Sequence, residues 1–254
     1  MLKFIGQGLC DLFYPPHCLI CRSFIPRSPQ KISSDSSLKK ITEFLCPECA
    51  KKISYNFPPF CVQCSRHLSK PLTHSRCKEC FEKSPHFDFA WSACLYQEPL
   101  KGLIHQFKYG QKTLLRHVFR QLMTSFLRQY YFDICQFDAV IPIPLSHARE
   151  RERGYNQAQL LAQDIAKEFD LRLCANNLIR IRHTKNQALL SEKERWTNIH
   201  RAFRIKQSPK FSQRSVLLVD DLLTTGATTS EAALTLKEAG AKTVGVLTLA
   251  ITSD

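Results

Sequence analysis

Apolar positions along the chain fall into two textures. Up to about residue 84 they are scattered among polar residues, prolines and cysteines. Beyond Ser84-Pro85, apolar runs of strand length alternate with stretches of helical period. Trp91 to Tyr96 reads as a strand. Thr113 to Tyr131 reads as a helix that turns Leu114, Leu115, Val118, Leu122 and Phe126 inward. Ala139 to Pro144 is a short apolar strand ended by prolines, and Gln157 to Phe169 is a helix with Leu160, Leu161, Ile165 and Phe169 on one face. Val216 to Val219 is continuously apolar, the type buried on both faces of a parallel sheet. Thr228 to Ala239 is helical and stops at Gly240, and Val244 to Ala250 is a further apolar strand. Strand, helix and strand in that order predict an α/β domain, a parallel sheet flanked by helices, over residues 85–254. Residues 1–84 form a separate small unit before it.

That first unit is too short and loop-rich to build a core alone, so something must staple it. Eight of the chain's 12 cysteines lie there as four Cys-x-x-Cys pairs: Cys18 and Cys21, Cys46 and Cys49, Cys61 and Cys64, Cys77 and Cys80. The spacing turns both sulfurs of a pair toward one ion, and two pairs complete a tetrahedron, so two zinc ions are expected. Disulfides need an oxidising compartment, and the N-terminus, Met1-Leu2-Lys3-Phe4-Ile5-Gly6, has no signal-peptide pattern. Redox pairs are a third reading, against which four copies argue. Sequential pairing makes Cys18, Cys21, Cys46 and Cys49 one site and Cys61, Cys64, Cys77 and Cys80 the other. The 24 residues between Cys21 and Cys46 make a long ribbon loop, and crossed pairing stays open. Within that loop Pro26 to Lys40, rich in Ser, Pro and Lys, reads as a flexible excursion. Four thiolates leave no place for water, so the metals are structural. Cys10, Cys94, Cys135 and Cys174 are read as small hydrophobes, and His17, His67 and His74 as non-ligands.

Charge narrows the partners. The chain carries +14, and two zinc ions held by eight thiolates bring this to about +10. Phosphates, on a small molecule or on nucleic acid, are the expected counterparts. Lys51, Lys52, Arg66, Lys70, Arg76 and Lys78 could give the ribbons a nucleic-acid face. Phe107-Lys108-Tyr109 and Tyr130-Tyr131 place aromatics beside cations, as base stacking on single-stranded DNA requires, although a core would use them equally. No apolar run is long enough to cross a membrane, and a cytoplasmic location is expected.

The strongest chemistry lies in Val216-Leu217-Leu218-Val219-Asp220-Asp221-Leu222-Leu223-Thr224-Thr225-Gly226-Ala227-Thr228-Thr229. A buried strand runs into two acids, a Thr/Gly turn and a helix. Helix N-termini bind anions through unpaired N–H groups, and Gly226 lets the backbone approach a ligand. Asp220 and Asp221 stand at the carboxyl end of the strand, where open α/β sheets bind ligands. Two more segments are basic: Leu145 to Gln157, which follows the strand ending at Pro144 and sets Arg149, Arg151 and Arg153 between glutamates, and Arg182 to Phe203, a candidate hood or a surface helix packed by Trp196 and Phe203. No Gly-Lys-Ser/Thr P-loop and no Gly-x-Gly-x-x-Gly is present.

The Asp220–Thr228 string resembles the phosphoribosyl-pyrophosphate signature of type I phosphoribosyltransferases. Ile141-Pro142-Ile143-Pro144-Leu145, Arg153-Gly154-Tyr155-Asn156-Gln157, Gln187, Arg195, Asn198, Ala202-Phe203 and Ile104 to Tyr109 occur in the order of the ComF family, phosphoribosyltransferase-like proteins associated with competence that carry an N-terminal double zinc ribbon. Tyr155 stands where that family usually has Phe. The resemblance implies that Thr224, Thr225, Gly226, Ala227 and Thr228 grip a 5′-phosphate and that Asp220 and Asp221 face the ribose hydroxyls. It further implies that Lys108, Arg149 and Arg153 serve the pyrophosphate of phosphoribosyl pyrophosphate, which binds with Mg2+. Transfer of phosphoribose to a nitrogen acceptor is then expected, although no residue names the acceptor. The alternative is a non-catalytic module that binds single-stranded DNA and works with competence or DNA-processing proteins.

Overall fold

The computed structural model describes residues 16–25, 41, 44–68, 75–182, 191–206 and 211–252. Cys10, the excursion from Pro26 to Lys40, Lys70, His74 and Gln187 lie outside the described residues.

Among the described residues, two short helices follow cysteines of the ribbon unit: α1 (Pro47–Lys51) and α2 (Lys78–Lys83). The remaining elements are β1 (Phe89–Leu95), α3 (Leu100–Tyr109), α4 (Leu115–Gln129), β2 (Ala139–Pro142), α5 (His147–Arg153), α6 (Gln157–Glu168), β3 (Arg172–Leu173), β4 (Leu178–Arg180), α7 (Glu192–Ile199), β5 (Phe203–Ile205), β6 (Ser215–Leu223), α8 (Ala227–Glu238) and β7 (Thr243–Ile251). Five strands form one sheet in the order β1-β7-β6-β2-β3, every neighbouring pair parallel. β4 and β5 pair antiparallel as a separate ribbon.

The expected α/β architecture is present. Alternation along β6 splits the core in two, because successive strand residues face opposite sides. Leu217 and Val219 join Leu247, Leu249 and the inward faces of α3, α4 and α6. Val216 and Leu218 join Val244, Val246 and the α8 residues Ala232, Ala233 and Leu236. Each large side chain fully buried here contributes about 1.5–3 kcal/mol.

The cysteine unit completes the sheet as well as preceding it. β1 is an edge strand, and the segment around residues 54–65 runs along its open side. Asn56 N–H donates to Ala93 O at 2.9 Å, Leu95 N–H to Ser54 O at 2.9 Å, and Ala90 N–H to Gln63 O at 2.7 Å. The edge's backbone groups are thereby satisfied and shielded from pairing with another chain.

Several expectations are corrected. Leu114 stands just before α4, 61 % exposed, and Leu115, Val118, Leu122 and Phe126 carry the inward face. The basic start of α4 is spent on α6: Arg116 grips Asp164 with two bonds of 2.8 and 2.7 Å, and Arg120 reaches Glu168 at 2.9 Å. The Arg149–Arg153 segment is a short helix, ended by Gly154, where a loop was expected. β6 runs on through Leu223, so both acids belong to the strand. Cys94 and Cys174 are buried as expected, but Cys135 is exposed.

Candidate functional site

β6 delivers Asp220 and Asp221 to the carboxyl end of the sheet, Thr224–Gly226 make the turn, and α8 begins at Ala227. Gly226 holds φ 74°, the left-handed region. A Cβ there would meet Phe87 only at 3.6 Å, so the backbone angle, more than space, asks for glycine. The first-turn N–H groups of α8 have no helical carbonyl to bond. Thr225 Oγ1 accepts from Ala227 N–H at 3.4 Å, and Thr229 Oγ1 donates to Gly226 O at 3.0 Å, which holds the turn closed.

The two acids meet opposite surroundings. Asp221 faces α3 and α6, is 3 % exposed, forms an ion pair with Lys108 Nζ and accepts from Gln157 Nε2 at 3.3 Å. Burial, the largest single influence, would raise its pKa, but the Lys108 ammonium together with hydrogen bonds from Lys108, Asp220 and Gln157 holds the carboxyl below its ordinary value. The same pairing keeps Lys108 above its ordinary value against the pull of burial. Asp220 is half-buried, and Oδ1 accepts from the Asp221 N–H at 2.8 Å. Burial first, and then the neighbouring Asp221 charge, push Asp220 well above its ordinary value.

A cationic wall stands beside the acids. Arg153 donates to Gln157 Oε1 at 2.8 Å and to Tyr109 Oη at 3.1 Å, with its guanidinium 4.8 Å from the Tyr109 ring centre. Asn156 caps α6 by accepting from Ala158 N–H at 3.0 Å and ties the cap to the end of β2 by donating to Ile143 O at 3.0 Å. Arg149 is lowered by burial and then by Arg153. Arg180, on β4, is 9 % exposed and falls to about 10 through burial and then through Arg149, while Asp220 works the other way. Lys108, Arg149 and Arg153 therefore converge with the Asp-Asp strand. Lys108 is committed to Asp221, however, and does not stand as an open cation for pyrophosphate.

Two site residues escaped the sequence reading, and a third was assigned elsewhere. Arg180 was legible as a lone cation in the apolar run Leu178-Ile179-Arg180-Ile181. Trp196 of α7 lines a recess against Thr224, Thr225 and Gly226, where its buried indole N–H has no acceptor among the described residues. Arg66 was assigned to a nucleic-acid face. It is 6 % exposed and points inward, onto Thr224 O at 3.1 Å, so it leaves that face. Lys51, Lys52, Arg76 and Lys78 remain exposed. Of the aromatics considered for stacking, Phe107 is fully buried and Tyr109 is braced by Arg153, whereas Tyr131 is 93 % exposed.

The cysteines gather as Cys18, Cys21, Cys46 and Cys49 in one cluster and Cys61, Cys64, Cys77 and Cys80 in another, with the four sulfurs of each within 4.8 Å of one another. Cys21 Sγ lies 3.6 Å from Cys46 Sγ and Cys64 Sγ 3.6 Å from Cys77 Sγ, close to the ~3.8 Å edge of a zinc–thiolate tetrahedron. Without a cation the thiols disturb one another: contacts with Cys64 and Cys77 lower Cys61, and contacts with Cys61 raise Cys64 and Cys80. Both donor sets fit a structural zinc ion. Neither His17, paired with Phe24, nor His67, tilted against the Phe57 ring, joins a cluster.

Residues 156–253, from the cap of α6 to the end of β7, match the model of the phosphoribosyl transferase domain. Over longer spans the chain is 34% identical to Competence protein F of Haemophilus influenzae (81% of this chain, 90% of the relative). It is 32% identical to the DNA utilization protein YhgH of Escherichia coli O6:H1 (92% and 96%) and 29% identical to Competence protein ComFC of Bacillus subtilis (92% and 92%). The chain belongs to the competence protein F, or ComF, family.

Proposed function

We propose that this chain binds phosphoribosyl pyrophosphate at the carboxyl end of its sheet and acts in the handling of incoming DNA. The observation that carries the proposal is the junction of β6 with α8: a half-buried carboxylate, a threonine turn and a helix N-terminus meet within nine residues, with Arg149, Arg153 and Arg180 alongside. Thr224, Thr225, Gly226, Ala227 and Thr228 take the 5′-phosphate through backbone N–H and hydroxyl donors. Asp220 accepts from ribose hydroxyls, and Asp221, neutralised by Lys108, sets the end of the strand. Arg149, Arg153 and Arg180 compensate the pyrophosphate. Asp220 would be the carboxylate nearest an Mg2+ carried by the ligand, and such an ion would supply charge neutralisation at the phosphates. The residues supply position and charge compensation, which is what departure of pyrophosphate from C1 requires. Residues 1–84 act as the metal-held unit and residues 85–254 as the ligand unit, in the cytoplasm. The names of the relatives support the link to DNA.

Calorimetric titration of Mg2+–phosphoribosyl pyrophosphate, with pyrophosphate release assayed across a panel of bases, tests this. Binding is expected in the wild type and a loss of tenfold or more in Thr225→Ala, about the worth of one hydrogen bond to a charged group. Absence of binding in the wild type sinks the proposal. Binding without release under any base assigns the site to ligand sensing.

A further inference from the structure

The second cysteine cluster reaches the phosphate loop through one side chain. Arg66 lies two residues beyond Cys64, and its carbonyl accepts from Cys61 N–H at 2.8 Å, so the knuckle fixes its backbone. Ser65, at φ 57°, turns the chain inward, and Asn56 Nδ2 holds the Ser65 carbonyl at 2.7 Å. The Arg66 side chain, 7 % exposed, places Nη2 at 2.7 Å from Glu79 Oε2, inside the other knuckle, Cys77-Lys78-Glu79-Cys80. The same nitrogen donates to Thr224 O at 3.1 Å, across 158 positions of sequence. Phe87 and Trp196 help enclose this junction.

A trans peptide plane turns as one piece, with its C=O and N–H pointing in opposite directions. Holding Thr224 O toward Arg66 therefore aims Thr225 N–H away from the ribbon. We propose that Arg66 is a positioning residue: by fixing the Thr224–Thr225 peptide it sets the donor geometry of the phosphate loop, and so couples zinc in the Cys61, Cys64, Cys77 and Cys80 cluster to occupancy of that loop. The coupling to ligand rests on the phosphoribosyl reading above; the positioning of the loop does not. Linkage makes the effect reciprocal, so ligand binding retains this zinc as much as the zinc favours ligand.

The full zinc-loaded chain is compared with Arg66→Ala, Arg66→Lys and Glu79→Gln. Three measurements are made: amide exchange of the segment spanning 222–229, the Kd of Mg2+–phosphoribosyl pyrophosphate, and zinc release to a chromogenic chelator with and without that ligand. Arg66→Ala should speed exchange in the loop while α4 keeps its protection, weaken binding about tenfold, and abolish the slowing of zinc release by ligand. Arg66→Lys should recover part of each. Glu79→Gln, which keeps the shape and removes the charge, should give a smaller shift in the same direction and serves if Arg66→Ala does not fold. Unchanged loop exchange in Arg66→Ala, or in Glu79→Gln where it stands in, overturns the inference whether or not the ligand binds. Faster exchange in a chain that never binds the ligand removes the phosphoribosyl reading and leaves the positioning role standing.

Discussion

The two faces of the sheet are built from similar parts and hold them differently. Each face packs against one cysteine cluster, and each receives one of the paired aspartates. On the face of α3, α4 and α6, the first cluster sits at the rim with Cys21 exposed, and Asp221 is buried against its own cation. That cluster touches the rest of the molecule through contacts such as Gln106 Nε2 donating to Leu19 O at 2.8 Å, which dock it on α3. On the face of α7 and α8, all four cysteines are buried, Arg66 ties them to the turn after β6, and Asp220 forms no ion pair among the described residues. One face neutralises what it buries, and the other leaves charge and donors for a ligand. Identical motifs thus serve an anchor on one side and brace the proposed site on the other.

The largest test of that difference exchanges one ligand in each cluster. Cys64→Ser should release the second zinc, lower Tm by about ten degrees or more, as expected for several kcal/mol of metal-coupled folding, and abolish ligand binding. Cys21→Ser acts at an exposed thiol whose bonds from the Ser23 hydroxyl and backbone N–H bring it down to about 6. It should weaken the first zinc yet leave the ligand Kd within about twofold, since Cys21, hydrogen-bonded to Ser23 and Cys46, shares no hydrogen-bond partner with the Thr224–Gly226 turn among the described residues. Zinc stoichiometry, calorimetric Tm and ligand titration read both variants. Equal loss of ligand binding in the two would erase the distinction between faces.

The next effect lies in the buried pair. Lys108→Met strands the Asp221 carboxylate in the core and should cost about 3–5 kcal/mol. The double variant Lys108→Met with Asp221→Asn should regain most of it, because no uncompensated charge remains. Denaturant unfolding measures both. A single variant as stable as the wild type would show that the ion pair neutralises nothing.

How much of this contrast the sequence carried depends on which interaction made it. The strands and helices of 85–254 were legible because each buried run has its own period: Leu161 and Ile165 on α6 and the run Val216 to Val219 need no distant partner to declare themselves. The cysteine clusters were legible because the spacing of a knuckle is local. Lys108 was marked as a cation but not as the partner of Asp221, since the two lie more than a hundred positions apart and meet only when α3 packs beside β6. Arg66 was misplaced for the same reason: a charged residue next to a metal knuckle looks exposed until the loop after β6 closes over it. Leu114 failed differently. It lies one residue before the helix, where the 3.6-residue period does not yet apply.

The smallest effect is the most direct measure of asymmetry within one strand. Asp220 has its folded pKa raised, so the folded chain keeps a proton that the unfolded chain has released. Its favourable contribution is complete below about pH 4, the unfolded value, and is lost as pH rises through the folded value. Asp221 has its folded pKa lowered, so its contribution is present above the unfolded value and is lost only as pH falls through the folded one. Asp220→Asn should therefore flatten the decline of Tm above about pH 4 and stabilise the chain at neutral pH. Asp221→Asn should do the reverse, because it leaves Lys108 buried without its counter-ion. If Asp220 meets Mg2+–phosphoribosyl pyrophosphate, binding pulls its proton off. The calorimetric enthalpy must then vary with the ionisation enthalpy of the buffer, in the wild type and not in Asp220→Asn. Tm curves of the same slope for both variants would mean that the strand does not divide its two acids between a neutralised interior and an open site.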